Sequence, residues 1–330
     1  MHVVVTGGAG YVGSHIAYAL IADGIEVTVL DNLSSGHRWA LAPRARFIEG
    51  DIHDPTCTQR ALDGCDAIVH CAGSISVEES TRLPLAYFRN NVTASIALIE
   101  AAVASRVRTF VFSSSAAVYA PQARALTETD RVAPLNPYGR SKLMIEQVLA
   151  DTHAAHGLAY AALRYFNAAG ADPEAGLGEA HHPETHLLPI ALDVAAGKRA
   201  VLDVFGDDYP TRDGTCERDF VDVRDLAQAH VAAIRYLRSG GESGPLNLGT
   251  GRGTTVNELA ERIACVTNRS IARAVRPRRQ GDPPTLVADA GRAHDLLGWR
   301  AARSLDETIA AAWAFAQRAG TITSQSQDCK

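Results

Sequence analysis

Tyr138 and Lys142 stand four residues apart in the run Asn136-Pro137-Tyr138-Gly139-Arg140-Ser141-Lys142. That spacing is about one helical turn, so both side chains project from the same face. The chemistry such a pair offers is proton abstraction by a phenolate. A phenol is a poor base near neutrality, because its free pKa is about 10. Bringing it to about 7 needs roughly 4 kcal/mol of preferential stabilisation of the phenolate, at about 1.4 kcal/mol per unit. One ammonium ~5 Å away supplies roughly 3 kcal/mol at an effective dielectric near 20. The lysine alone falls short, and a second positive charge is required.

The first residues indicate a source for that charge. His2-Val3-Val4-Val5 reads as a buried strand, Thr6-Gly7-Gly8-Ala9-Gly10-Tyr11-Val12-Gly13 follows, and a helical stretch covers 11–22. Gly7, Gly10 and Gly13 permit a tight turn, close backbone approach to a pyrophosphate, and close packing of helix on strand. The diphosphate would rest on the helix N-terminus, where N–H groups and the dipole favour negative charge. A glycine loop alone is a weak signal, but here the required strand precedes it and the helix follows. A second strand over 26–30 ends at Asp31, where an acidic residue binds the adenosine ribose hydroxyls. A carboxylate there repels a 2′-phosphate, which favours NAD over NADP. The bland readings are a glycine turn in some other α/β protein and, for Asp31, a cap on the next turn. An oxidised nicotinamide ring beside Tyr138 would supply the missing charge.

These residues need a scaffold, and the remaining pattern describes one. Strands over 66–70, 109–112 and 160–165 alternate with helices over 85–104 and from 138 to about 156. Such repetition implies a doubly wound parallel α/β sheet of Rossmann type with helices on both faces. Ligands of these sheets lie beyond the carboxyl ends of the strands. Ser113-Ser114-Ser115 directly follows Phe112 at such an end, within reach of Tyr138. The stretch 170–184, rich in Gly, Pro, Glu and His, opens a second lobe. The expected organisation is an NAD-binding domain over 1–170, with about 220–245 packing back on it, and a smaller α/β substrate lobe over 171–330 whose tail frays from about 318.

A chain of 330 residues, 46% hydrophobic and 21% charged, suits one large or two modest domains. A formal charge of −5 argues against a general nucleic-acid binder. No apolar run approaches the ~18 residues of a membrane span, and no secretory signal is expected at the N-terminus. The six cysteines (57, 65, 71, 216, 265, 329) show no metal-type spacing and fit a reducing cytosol. His181, His182 and His186 have a spacing that could suggest a metal, but with no supporting carboxylate or thiol pattern none is expected.

The chain resembles the UDP-glucose 4-epimerases of the extended short-chain dehydrogenase/reductase group, from residue 1 to about 316. The resemblance rests on TGGAGYVGSH at 6–15, DNLSSGH at 31–37, EGDIHD at 49–54, FSSSAAVY at 112–119 and NPYGRSK at 136–142. It continues through RYFNAAGA at 164–171, FGDDYPTRDGTCERDF at 205–220, NLGTG at 247–251, RRQGD at 278–282 and LGW at 297–299. The segment starting at 205 is the most specific of these. Sister dehydratases of dTDP-glucose usually carry Thr-Asp-Glu after the serine strand, and this chain lacks that acid pair.

The resemblance implies that UDP-galactose and UDP-glucose interconvert by transient oxidation at C4. Tyr138 would take the 4-hydroxyl proton, Ser115 would hold the 4-oxygen, and Lys142 would lower the Tyr138 pKa and hold the nicotinamide ribose. It implies cofactor contacts at Gly7, Gly10, Tyr11, Val12, Gly13, Asp31, Asn32, Asp51, Ile52, Cys71, Ala72, Gly73, Asn90, Ser113 and Phe166, beside Tyr138 and Lys142. For the UDP-sugar it implies Asn167, His186, Leu187, Phe205 along the uracil, Arg218 and Arg279 as cations, Asp282 on the uridine ribose, and Leu286. Arginine suits diphosphate oxygens because its fork donates two parallel hydrogen bonds. The bland alternative for Arg276, Arg278 and Arg279 is a solvated basic face. A homodimer built on the helices near 85–104 and 138–156, through Ala94, Ala97, Ala101 and Ala102, is also implied.

Three departures stand out. Ile75 occupies the position of a lysine that reaches a cofactor phosphate in some members, Ala117 replaces a common threonine, and Glu78 stands where a small residue or proline is usual. Leu286 falls at the position that gates acetylated sugars, and it suggests preference for the non-acetylated pair. Other readings stay open: a 4-epimerase of another UDP-sugar (N-acetylhexosamine, pentose or uronate), a related decarboxylase, or a non-catalytic NAD(H)-sensing protein. The intact Ser115, Tyr138 and Lys142 set argues against the last.

Overall fold

Valines drive the first strand into the centre of a seven-stranded sheet. The computed structural model describes residues 1–279 and 281–325. Strands β1 (His2–Thr6), β2 (Glu26–Asp31), β3 (Arg46–Glu49), β4 (Ala67–His70), β5 (Thr109–Ser115) and β6 (Ala159–Tyr165) join Gly244–Leu248 in the spatial order β3-β2-β1-β4-β5-β6-(Gly244–Leu248). Every neighbouring pair is parallel. The chain winds outward from β1 to β3, then returns to β4 on the other side of β1. That reversal opens a crevice at the carboxyl ends of β1 and β4.

Both sheet faces are covered, as a parallel sheet requires. Alternate residues of β1 point opposite ways. Val3 and Val5 pack with Ile16 and Leu20 of α1 (Tyr11–Ala22) and with Leu226 and Ile234 of the helix Val223–Arg238. Val4 faces Leu98, Phe110, Ile145 and Leu149 on the other side. The helix Val223–Arg238 and strand Gly244–Leu248 thus belong to the sheet layer although they follow the second lobe's first elements in sequence. A separate core of Leu188, Leu192, Leu202, Phe220, Leu259, Ile263 and Ile309 underlies that second lobe. Its strands are short: Leu202–Phe205 pairs with Arg273–Arg276, and Glu217–Arg218 lies between Thr254–Thr255 and Thr285–Leu286.

Several boundaries differ from the sequence expectation. The three serines are the last residues of β5, paired with Leu163, Arg164 and Tyr165, and do not follow the strand. The helix expected over 85–104 is instead Pro84–Tyr87, a wider π-helical turn Phe88–Thr93, and Ala94–Ala104. The wide turn lets two consecutive side chains, Asn90 and Asn91, both reach Ser74, whereas successive residues of a regular helix diverge. Ala94 and Ala102 are fully buried against the sheet, whereas Ala97 and Ala101 of the expected alanine face are partly exposed, beside the exposed Leu85 and Ile96. The last helix runs Leu305–Gln325, beyond the point near 318 where the sequence suggests fraying. Residues 326–330, including Cys329, lie outside the described residues. The other five cysteines are unpaired. No described helix is long and apolar enough to cross a membrane.

Candidate active site

One cavity of about 870 Å³ runs along the carboxyl edge of the sheet into the second lobe. Its volume sits near the top of the ~300–1,000 Å³ range of small-molecule sites. Its floor at one end is the glycine turn. Gly7 adopts φ 69°, and a Cβ there would lie 2.6 Å from the Ala72 nitrogen. A Cβ on Gly13 would lie 2.2 Å from the Gly7 carbonyl oxygen. Gly10 caps α1 without a side-chain hydrogen bond, so the first turn of α1, which lines the cavity, presents backbone N–H groups that no helical carbonyl reaches. These features fit a dinucleotide pyrophosphate. Gly7, Gly10, Tyr11, Val12 and Gly13 all line the cavity.

The adenosine end is built by Asp31, Asn32, Asp51 and Ile52, each on the cavity wall. The Asp31 carboxylate accepts from the N–H of Ala9 at 2.9 Å and of Leu33 at 2.8 Å. It therefore does cap the next turn while also facing the cavity. Asn32 donates to Asp51 at 2.7 Å, and Asp51 also holds His53. Those hydrogen bonds keep Asp51 below the usual carboxylate range although partial burial opposes them. On the opposite wall stand Cys71, Ala72, Gly73 and Asn90. Asn91 is the unforeseen support: buried, it grips both the N–H and the carbonyl of Ser74 and donates to Ser141 at 3.1 Å. Ile75 and Glu78 are also on the wall, so no lysine stands at position 75 to reach a phosphate.

At mid-cavity, Ser115 and Tyr138 come together. Asn136 caps the helix Pro137–His156 by accepting from the Gly139 N–H at 2.8 Å. Gly139 packs so tightly on the Ala116–Val118 turn that a Cβ would lie 2.2 Å from the Ala117 carbonyl oxygen. This close approach seats Tyr138 beside Ser115. Burial pushes the Tyr138 phenol up, and the Ser115 hydroxyl partly offsets the shift.

Lys142 sits deeper than its spacing from Tyr138 suggests. It is 4% exposed and stands behind the cavity lining. Its Nζ donates to the Ser113 carbonyl at 2.9 Å and lies 5.8 Å from the Tyr138 ring centroid. Burial drops its own pKa to about 8. Burial is the largest influence on the Tyr138 phenol, and the Coulomb estimate already requires a second positive charge beside the lysine. Ser113 is likewise beneath the wall, with its hydroxyl near Cys71 and His230. Burial raises the Cys71 thiol to about 11, which leaves it unreactive.

The second lobe closes the far end with Asn167, His186, Leu187, Arg218, Asp282 and Leu286, and Phe166 stands beside them. Strand register puts Arg218 opposite Leu286. Arg218 donates to the Pro283 carbonyl at 2.9 Å and lies 3.9 Å from Asp282. Phe205 and Arg279 do not line the cavity; the Arg279 guanidinium sits 3.9 Å over the Phe205 ring.

Two further groups escape sequence reasoning. Tyr119, on the cavity wall, accepts from Arg164, which is held by Glu146 at 3.0 and 3.1 Å in a buried pair under the serines. Glu179 and Glu184 lie against His181 and His186, supplying carboxylates that alternate with the histidines in the run 179–186 but that the sequence reading did not join to them.

The sequence profile of the NAD dependent epimerase/dehydratase family matches residues 3–249. A UDP-glucose 4-epimerase from Lacticaseibacillus casei is 47% identical over 320 residues, spanning 95% of this chain and 96% of that one. The structure of UDP-glucose 4-epimerase from Brucella ovis in complex with NAD superposes with a TM-score of 0.91 at 46% identity, covering 94% of this chain and 97% of that one. The Stenotrophomonas maltophila enzyme, with bound NAD and formylated UDP-arabinopyranose, reaches 0.94 at 40% identity over 98% and 99% of the two chains. Likeness on this scale, in sequence and fold together, leaves one assignment: the chain belongs to the NAD dependent epimerase/dehydratase family.

Proposed function

We propose that the protein interconverts UDP-galactose and UDP-glucose at sugar C4. The observation that carries this reading is the single cavity joining the glycine turn, the Ser115–Tyr138 pair and the Arg218 end. NAD, bound on the glycine turn, supplies a hydride acceptor and donor. Tyr138 as phenolate takes the proton of the 4-hydroxyl, and Ser115 hydrogen-bonds the 4-oxygen through both half-reactions. Because burial opposes the phenolate, Tyr138 needs two neighbouring cations, and Lys142 is one of them. Arg218 holds the diphosphate and Asp282 the uridine ribose, while Ala117 and Leu286 leave the hexose loosely held. That asymmetry suits epimerisation, in which the sugar must present both faces while its nucleotide stays fixed. Phe205 and Arg279 join the nucleotide only if their stacked pair opens.

Such a reaction suits a reducing cytosol, consistent with the unpaired cysteines. We further infer a homodimer through the helices at 84–104 and 137–156, where Leu85, Ile96 and Met144 are exposed. Proton NMR of the purified chain with UDP-galactose and added NAD tests the activity. Convergence on one mixture from UDP-galactose and from UDP-glucose supports it. No change, with NAD bound, would favour a UDP-pentose instead, the kind of sugar nucleotide bound to the Stenotrophomonas maltophila relative.

A further inference from the structure

Glu179, His181, Glu184 and His186 each turn one ligand atom toward a common point, and the four atoms lie within 4.8 Å of one another. The His181 Nδ1 is 3.0 Å from a Glu179 oxygen and 3.9 Å from a Glu184 oxygen. The His186 Nδ1 touches the same Glu179 oxygen and is 3.7 Å from the other Glu184 oxygen. Metal–ligand bonds of ~2.0–2.2 Å in a tetrahedron put neighbouring ligand atoms about 3.3–3.6 Å apart. The spacings fall on either side of that range, and both histidine contacts to Glu179 would have to open.

Ordinary ion pairing accounts for Glu179, which both imidazoles approach closely, but leaves Glu184 3.7–3.9 Å from either ring. Glu179 is 6% and Glu184 16% exposed, and placing two carboxylates together under cover is unfavourable without compensating charge. Among the described residues neither carboxylate ion-pairs with a lysine or arginine; their partners are the two imidazoles. Two imidazoles and two carboxylates without a thiolate form a donor set for a borderline divalent ion.

We propose that Glu179, His181, Glu184 and His186 form a site for one divalent transition cation, with zinc the best match to its size and donors. Four protein ligands make the site closed, so its role is positional. His186 caps the helix Leu187–Ala195, and the His181 ring meets Tyr11 edge-on at 6.4 Å. The cation would fasten the segment 179–186 beside the glycine turn, reinforcing two existing ties, Tyr11 to the Gly170 carbonyl at 2.8 Å and His37 to the Ala180 carbonyl at 2.7 Å. This departs from the sequence expectation of no metal, and it does not depend on the identity of the sugar.

The test is a titration of untagged, chelator-stripped full-length protein with zinc chloride, followed by calorimetry and thermal unfolding. The expected result is one equivalent per chain with a rise in Tm. The H181A/H186A variant, folded by circular dichroism, should bind that equivalent ~100-fold or more weakly. Cobalt(II) chloride added to the unmutated protein should give visible bands of a four-coordinate centre without thiolate charge transfer, a readout that holds even if the variant does not fold. No stoichiometric zinc uptake, uptake undiminished in the folded variant, or a thiolate band would each overturn the proposal.

Discussion

The two ends of the cavity are built from different materials. At the dinucleotide end the wall is backbone: glycines at 7 and 13, packed so that any Cβ would strike main-chain atoms, on strands whose register is fixed by a buried sheet. At the nucleotide end the wall is side chains on two-residue strands, held by carboxylates such as Asp219, which accepts from the N–H groups of Thr250, Gly251 and Ala288. Backbone recognition tolerates almost no substitution and is shared by many proteins. Side-chain recognition on short elements can be retuned at single positions, which is how one scaffold serves different sugars.

The sharpest way to break that contrast is Gly13→Ala. Its Cβ cannot be accommodated without moving the Gly7 carbonyl, so NAD retention should fall by ~100-fold or more, read by fluorescence titration. Retained affinity would mean that the backbone end is softer than described. Lys142→Met should lower kcat by ~100-fold or more yet leave the apo protein as stable or more stable at pH 7, by roughly 1–3 kcal/mol. The sign follows from the depressed pKa: the ammonium is disfavoured in the fold below about pH 8, and that penalty vanishes as pH rises toward 10.5. Urea unfolding of both forms at pH 7 checks it.

Arg218→Ala should raise KM for the UDP-sugar by ~10–100-fold while NAD affinity stays within ~2-fold, because only the side-chain end is touched. Equal losses of both ligands would erase the distinction between the ends. Acid should strike the sheet layer first. Burial lowers His70 to about 3 and His230 to about 4, so both are neutral in the fold and protonate on unfolding. Stability present above about pH 6.5 should fall as pH drops toward 4, by roughly 2 kcal/mol per histidine at pH 5. Urea midpoints at pH 7 and pH 5, with His70→Gln as control, measure this. The smallest effect is expected at Leu286→Gly, which should raise turnover of UDP-N-acetylglucosamine relative to UDP-galactose by ~2–10-fold.

The backbone end is also the legible end. Val3, Val4 and Val5, the glycine turn and Asp31 are contiguous or placed by strand periodicity, so spacing alone locates them. Tyr138 is legible for the same reason, being one turn from Lys142. What spacing does not encode is depth. Lys142 and Ser113 fall behind the wall because β5 extends through its serines, a boundary that neither propensity nor pattern marks. Nor does it encode loop closure, which brings Glu179 to His186 and turns Arg279 onto Phe205. The π-helical turn that aims Asn90 and Asn91 together has no sequence signal either.

The most direct test of the account is UDP-galactose turnover by the unmutated chain and by Tyr138→Phe, with bound NAD quantified in both. The account predicts that the variant keeps its NAD and loses turnover by ~1,000-fold or more, since its only change is the proton-accepting oxygen at the junction of the two ends. Turnover near the unmutated rate, with NAD equally bound, would contradict it.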